Sequence, residues 1–178
     1  GVDICATATA YEQVISSSSL TVGEDAAGST EIAVDDIDLA DNVIAVGDIV
    51  SFFTNSAGTT AVAGEAGKEY EVTAVNTSTN VMTIRKLDDP NGGGTHNIIP
   101  DNSYVKRKWR FYDLFDSAPG TSPWSTQNSK GTADELHVVV YDKTGAITGF
   151  DVDVAGQRTS AVIERFAAMS KHPNAKTP

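Results

Sequence analysis

The sequence lacks the features that mark a secreted or membrane-spanning protein. It has a single cysteine, Cys5, so no internal disulfide can form and nothing indicates an oxidising compartment. No apolar run approaches the roughly 18 residues that a membrane-spanning helix needs, and the first residues do not have the pattern of a signal peptide. We therefore expect a protein made in a reducing cytoplasm, without stable insertion into a membrane.

Basic residues are scarce in the first part of the chain. Residues 1–105 hold 3 Lys and Arg against 16 Asp and Glu, a net charge of −13, whereas residues 106–178 hold 10 against 8, a net charge of +2. An acidic surface repels phosphate backbones, so the composition disfavours nucleic acid as a partner. The near-neutral second part can pack against neighbouring molecules without strong repulsion.

Long helical patterns are also scarce, and short runs of Val, Ile and Thr between turn-forming residues predict a mainly β fold, α+β overall. Between residues 20 and 103 these runs recur about every ten residues, which is typical of a small β-barrel or sandwich. In residues 69–75 the side chains of Tyr70, Val72 and Ala74 alternate with polar ones, which predicts one buried face. In residues 160–169 the apolar side chains fit helical spacing.

The chain is predicted to have three parts. Residues 1–19 would be a strand and a linker, because the serines at positions 16–19 carry no packing group. Residues 20–103 would form an acidic, barrel-like peripheral domain. Residues 104–178 would form a second domain, mostly of strands, in which the continuous apolar run 136–141 predicts a strand covered on both faces.

Motifs for catalysis and metal binding are missing from the sequence. The acidic cluster in residues 35–41 lacks the order of a calcium loop, and Glu69 stands where a phosphate loop needs Ser or Thr. His96, His137 and His172 have no ligand spacing, and we expect His137 to be a packed, hydrogen-bonded histidine. No nucleophile elbow is present. We therefore predict no catalytic residue, no metal, no cofactor and no enzyme activity.

The main concentration of basic and aromatic residues is at positions 106–112, where the cations are Lys106, Arg107, Lys108 and Arg110. Three interpretations are open: stacking on nucleic acid, contact with an acidic neighbouring subunit, or a strand with solvated cations on one face. We favour the last two, because four cations in an acidic chain bind phosphate backbones weakly.

The order of motifs in the second part resembles one protein family. Residues 107–122 read Arg-Lys-Trp-Arg-Phe-Tyr-Asp-Leu-Phe-Asp-Ser-Ala-Pro-Gly-Thr-Ser, and residues 134–145 read Asp-Glu-Leu-His-Val-Val-Val-Tyr-Asp-Lys-Thr-Gly. The pattern continues through Gly149, Val-Ile-Glu-Arg-Phe at 162–166, Ser-Lys at 170–171 and Asn-Ala-Lys at 174–176. Residues 107–178 thus resemble the tail-sheath protein of contractile-tailed bacteriophages, and residues 1–106 resemble it more loosely. The resemblance implies a strand in residues 160–169, and we favour that strand over the helix that the spacing of the apolar residues allows.

The resemblance implies a structural role in the virion tail after assembly in the host cytoplasm. Full sheath subunits polymerise helically around the tail tube, and contraction drives the tube through the host envelope without consuming a nucleotide. The implied partners are other sheath subunits, with the tube and baseplate contacted through parts of the subunit outside these residues. Family members are much longer than 178 residues, so we interpret the chain as a fragment. Residues 20–103 would be inserted into an incomplete mixed α/β sheath domain.

Four residues are candidates for contacts between subunits: Arg107, Arg110, Asp134 and Glu135. They combine charge with a position in the near-neutral, sheath-like part of the sequence. The alternative is a surface-exposed β-barrel that serves as a binding or adhesin module. Such a module needs exposed aromatic side chains, and residues 20–103 offer Phe52, Phe53 and Tyr70, at least some of which we expect in the core.

Overall fold

A computed structural model describes residues 1–15, 30–34, 44–87, 97–152 and 158–175 of the chain. It confirms the mainly β fold, with two antiparallel sheets and only short helices in the described residues. The chain forms two compact units. The first unit comprises Gly1–Glu12, Phe111–Val152 and the residues from Arg158 onward, and the second unit comprises Gln13–Arg110. The second unit is therefore inserted between segments of the first, whereas the sequence predicts the divisions after residues 19 and 103.

The second unit contains a six-stranded sheet in the order β2-β7-β4-β5-β6-β3. Both outer strands contribute to one core, because Ile15 of β2 and Ile32 of β3 belong to the same buried cluster as Phe52 and Tyr70. The described strands do not close into a barrel, so the predicted barrel is an open sheet in these residues. The strands are β2 Glu12–Ile15, β3 Glu31–Ala33, β4 Ile49–Phe53, β5 Tyr70–Asn76, β6 Val81–Lys86 and β7 Tyr104–Lys108.

A bulge in β5 changes the alternation that the sequence predicts. Tyr70 and Val72 are fully buried as predicted, but Ala74 is exposed, so that part of the prediction is wrong. The register with β6 shifts between Val72 and Ala74. One extra residue in a strand moves all later side chains to the opposite face. Val75 consequently packs against the core in place of Ala74.

The first unit contains a four-stranded antiparallel sheet in the order β1-β8-β10-β9. Residues 160–169 form part of a strand, as predicted. Two register shifts in this strand explain why its apolar residues also fit helical spacing, because each bulge interrupts the two-residue alternation. The elements are β1 Val2–Cys5, α1 Ala8–Tyr11, a 3-10 helix Tyr112–Leu114, α2 Pro123–Gln127, β8 Glu135–Asp142, β9 Phe150–Val152 and β10 Arg158–Ser170.

The central strand β8 separates two different faces of this sheet. His137, Val139 and Tyr141 are buried, whereas the alternating residues Val138 and Val140 are only half-buried. The prediction that this strand is covered on both faces is therefore wrong. A continuous apolar run identifies a central strand but does not establish what lies over each of its faces.

Candidate interaction surfaces

Asp134 links the loop before α2 to the end of β10 through hydrogen bonds. Its carboxylate accepts hydrogen bonds from the backbone N–H and the hydroxyl of Ser122, both at 2.8 Å, and from the hydroxyl of Ser170. These bonds, that from Ser170 foremost, lower the pKa of Asp134 from 3.8 to about 2, because they favour the charged carboxylate. The side chain thus joins two segments of the first unit.

Glu135 binds the same loop before α2 at Gly120, two residues before Ser122. Its Oε2 atom accepts a hydrogen bond of 2.9 Å from the backbone N–H of Gly120, and its own N–H donates to the Gly120 carbonyl at 3.1 Å. The structure therefore brings Asp134 and Glu135 together at a loop of their own chain. Their predicted contact with another subunit stays a prediction, and it must coexist with these internal bonds.

The two predicted arginines lie in the second unit. Arg107 is only 9% exposed, and its Nη1 atom lies 3.5 Å from Oδ2 of Asp48. Asp48 also accepts a hydrogen bond from the N–H of Ala45 at 2.9 Å. Arg110 is half-buried and lies against Gly47, whose φ of +95° suits glycine. Arg107 is therefore turned toward the interior, and Arg110 offers only part of its surface to a partner.

His137 is a packed, hydrogen-bonded histidine, as predicted. Its side chain is 3% exposed, and the ring stacks on Phe115 with centroids 4.2 Å apart. The N–H of Ala168 donates to Nδ1 at 3.0 Å, so Nδ1 carries no proton, and Nε2 donates to the Ser117 carbonyl at 2.8 Å. The ring joins β8, a bulge of β10 and the loop after the 3-10 helix. Of the other histidines, His172 packs on Trp124, and His96 lies outside the described residues.

Glu65 is a buried carboxylate that the sequence analysis did not single out. It is 2% exposed and accepts hydrogen bonds from the Tyr70 hydroxyl at 2.6 Å, the Asn97 N–H at 2.8 Å and the Lys68 ammonium at 3.0 Å. Burial raises the pKa of Glu65, but these three donors outweigh it, and the net effect is a lowered pKa. A glutamate in a glycine-containing turn gives no sequence signal of such burial.

A groove of about 330 Å³ lies on the second unit beside this turn. Phe53 and three lysines, Lys68, Lys106 and Lys108, line it. Phe52 and Tyr70 are buried in the core, so Phe53 is the one of the three predicted aromatic residues that borders the groove. The two-residue alternation of β7 could have predicted that Lys106 and Lys108 share a face opposite Arg107.

The first unit presents a second candidate surface, which we call the outer apolar face. The register places Val2 beside Val140, Ile4 beside Val138, and Phe166 on the other side of Val138. Side chains opposite one another in an antiparallel pair lie on the same face. Val2 is 62% exposed, Ile4 55% and Phe166 37%, so this face offers apolar area to solvent.

The described residues contain neither a metal-ligand cluster nor a membrane-spanning helix. Within the described ranges, no group of three or more His, Cys, Asp and Glu side chains is placed to hold a metal ion. The acidic cluster at residues 35–41 lies outside those ranges. Among the helices of the described part, none is long and apolar enough to cross a membrane.

Comparisons with protein-family models, with curated proteins and with solved structures found no match to this chain. The resemblance to tail-sheath proteins therefore depends on the motifs in residues 107–178 of the sequence. Most of those residues belong to the first unit, which also carries the outer apolar face.

Proposed function

We propose that the chain is part of a structural subunit of a contractile phage tail sheath. The subunit polymerises helically around the tail tube and contracts to drive the tube through the host envelope. It assembles in the host cytoplasm and resides in the virion tail. The proposal assigns no reaction, cofactor or nucleic acid to the chain, and it takes other sheath subunits as the main partners.

The outer apolar face is the observation that supports this proposal best. It is built from β1, β8 and β10, and the last two overlap the sheath-like motifs at residues 134–145 and 162–166. Full burial of an exposed Val, Ile or Phe side chain contributes about 1.5–3 kcal/mol. Several such side chains, repeated in every subunit of a helical array, favour assembly.

Contraction requires that one set of subunits pack in two ways. Rigid subunits can shift against one another while each keeps its own core. The free energy of the contacts between subunits in the contracted state then drives the transition. The second unit has such a core, a single cluster of buried apolar side chains. A structural subunit that works through its surfaces needs no catalytic pocket.

Electron microscopy of the native particle tests the proposal. An antibody raised against residues 1–178 should label a striated tube along its whole length, with labels repeating at the spacing of the striations. The same antibody should label shortened, wider tubes after contraction. Label confined to fibres, to a capsid or to a baseplate alone would contradict a sheath role.

A binding or adhesin module is the alternative, and the groove beside Phe53 favours it. One half-buried aromatic ring with hydroxyl and ammonium groups nearby can stack on a sugar ring and bond its substituents. A glycan-array screen of the full chain distinguishes the two proposals. Reproducible binding of one glycan class that Phe53→Ala abolishes would support the module, and an array without binding would oppose it.

A further inference from the structure

The first unit contains an apolar pocket at one end of its sheet, which we call the tryptophan pocket. Its volume is about 310 Å³. Residues of α2 and β10 line it, chiefly Pro123, Trp124, Ala168 and Met169. Trp124 is half-buried and Met169 is 38% exposed, so the pocket offers apolar surface to a partner.

Hydrogen bonds and ring packing fix the walls of the tryptophan pocket. Ser122 and Ser170 also line it, and the hydroxyl groups of both donate to the Asp134 carboxylate. The His172 ring packs on the Trp124 ring with centroids 4.2 Å apart. A pocket whose walls are joined in this way is formed before a partner binds, which lowers the entropy lost on binding.

An exposed isoleucine lies in the loop that follows β8. Among the large apolar side chains of the described residues, that of Ile147 is the most exposed, at 79%. Its N–H donates to Oδ2 of Asp142 at 2.6 Å, and the N–H of Thr148 donates to the same atom at 2.9 Å. The Gly149 N–H donates to the Gly145 carbonyl at 3.1 Å. The isoleucine is thus presented on a loop whose backbone is held in place.

The strand register places the tryptophan pocket and Ile147 at opposite ends of β8. Ser170 pairs with Glu135, the first residue of β8, whereas Ile147 is bonded to Asp142, the last residue of β8. The eight residues of this strand extend over about 23 Å. Ile147 is therefore too far from the pocket of its own copy to fill it.

We propose that Ile147 of one copy of the chain inserts into the tryptophan pocket of the next copy. The inference rests on the proposed function, since it names a contact between sheath subunits. The pocket is larger than an apolar cavity of about 150 Å³ that holds benzene, so it has room for one branched side chain and part of its loop. A contact between two different surfaces at opposite ends of a subunit propagates into an open array, as a helical sheath requires.

Charged groups beside the two surfaces have opposite signs. Lys143 is exposed in the loop that presents Ile147, and the Asp134 carboxylate lies beside the tryptophan pocket through its bonds to the two serines. Lys171, next to the pocket along the chain, directs its ammonium group to the Ala6 carbonyl, 3.1 Å away. An exposed ion pair adds little affinity but fixes the register of a contact, so the isoleucine supplies most of the affinity here.

Cysteine cross-linking of the full chain tests this contact. The variants Ile147→Cys and Met169→Cys, mixed and treated with a short bis-maleimide, should give a covalent dimer that contains one copy of each. Cys5 is buried and should stay unreactive. Ile98→Cys, at a residue that is 56% exposed in the second unit, is the control partner for Met169→Cys. It should give less dimer by about tenfold or more, the factor that burial of one isoleucine contributes to an equilibrium.

A chain with both cysteines, at positions 147 and 169, distinguishes an open array from a closed dimer. It should give a ladder of cross-linked multimers, and a product that stops at the dimer would overturn the head-to-tail arrangement. Ala175→Cys, also in the tryptophan pocket, should cross-link to Ile147→Cys as Met169→Cys does. Equal dimer yields from the mixed pair and the control pair would overturn the contact and leave the pocket to another occupant.

Labelling of the native particle keeps this inference separate from the proposed function. Striated tubes that carry the label, together with no cross-link between positions 147 and 169, would reject the contact and retain the sheath role. Cross-linking at these positions, together with label confined to another part of the virion, would retain the contact and reject the sheath role.

Discussion

At the scale of single residues, a few buried or well-bonded polar side chains hold the loops of each unit in place. Asp142 is the clearest case, because its Oδ2 atom accepts hydrogen bonds from the N–H groups of Ile147 at 2.6 Å and Thr148 at 2.9 Å. Asp134 does the same for the loop at Ser122. Backbone donors that would otherwise lose their partners are satisfied in this way.

Acid should destabilise the first unit through these two aspartates. The backbone bonds from Thr148 and Ile147 lower the pKa of Asp142 from 3.8 to about 2, and Asp134 has a similarly lowered pKa. The unfolded chain therefore takes up protons first as the pH falls, so the stabilisation is complete above about pH 4 and is lost toward pH 2. Thermal unfolding between pH 5 and about pH 2 should show this loss.

Substitution of Asp142 provides the control for that pH dependence. Asp142→Asn should lower the unfolding temperature at neutral pH and flatten its fall toward pH 2, because the amide does not titrate. Asp116→Asn removes an exposed carboxylate of the same unit and should leave both features unchanged. Identical pH profiles for the wild-type chain and Asp142→Asn would contradict the assignment.

At the scale of elements, the bulges of β10 decide which side chains reach each face of the sheet. The register with β8 shifts between Phe166 and Met169, and Ala168 between them has a φ of +49°. The Ala168 N–H is then free of the strand ladder and donates to Nδ1 of His137. A bulge thereby connects the strand to the buried histidine.

The strain at this bulge predicts an unusual substitution. A left-handed conformation costs an alanine about 1–2 kcal/mol, whereas glycine adopts it readily but loses about 0.5–1 kcal/mol of chain entropy. Ala168→Gly should therefore leave the free energy of unfolding unchanged or raise it by up to about 1.5 kcal/mol. Ala161→Gly, at a buried position of the same strand, should lower it by about 1 kcal/mol. Urea denaturation measures both, and equal losses would refute the role of the left-handed residue.

At the scale of the whole molecule, the surfaces carry the proposed function. Each unit has its own sheet and its own buried residues, and each presents one surface of distinct chemistry. The first unit offers the outer apolar face, and the second offers the lysine groove. Apolar area contributes affinity without direction, whereas charged groups fix the register of a contact.

The outer apolar face can be tested by a matched pair of isoleucines. Ile4→Asp places a charge on this face, at a residue that is 55% exposed, and should weaken self-association by about 1–3 kcal/mol without unfolding the chain. Ile98→Asp makes the same change at a residue that is 56% exposed in the second unit and should have no effect. Light scattering over a concentration series measures both. Equal self-association of the two variants would show that the outer apolar face does not contribute to contacts between copies of the chain.

The sequence predicted local features of the fold better than long-range ones. The burial of Tyr70 and Val72 follows from alternation, and the packing of His137 follows from its place in an apolar run. The strand over residues 160–169 was implied by the resemblance to sheath proteins, since the spacing of its apolar residues fits a helix. The exposure of Ala74 does not, because a bulge depends on how β5 pairs with β6. The internal bonds of Asp134 and Glu135 also depend on a loop more than ten residues away.

By itself, the sequence determined the mainly β class, the contrast in charge between its two parts and the motifs on which the sheath proposal depends. These properties reside in composition and in patterns of a few residues. Only the tertiary structure decided that Arg107 points inward, that Glu65 is buried and that three lysines meet at one groove. Residues distant in the chain become neighbours through strand pairing and core packing, and that proximity sets the charge and exposure of each surface.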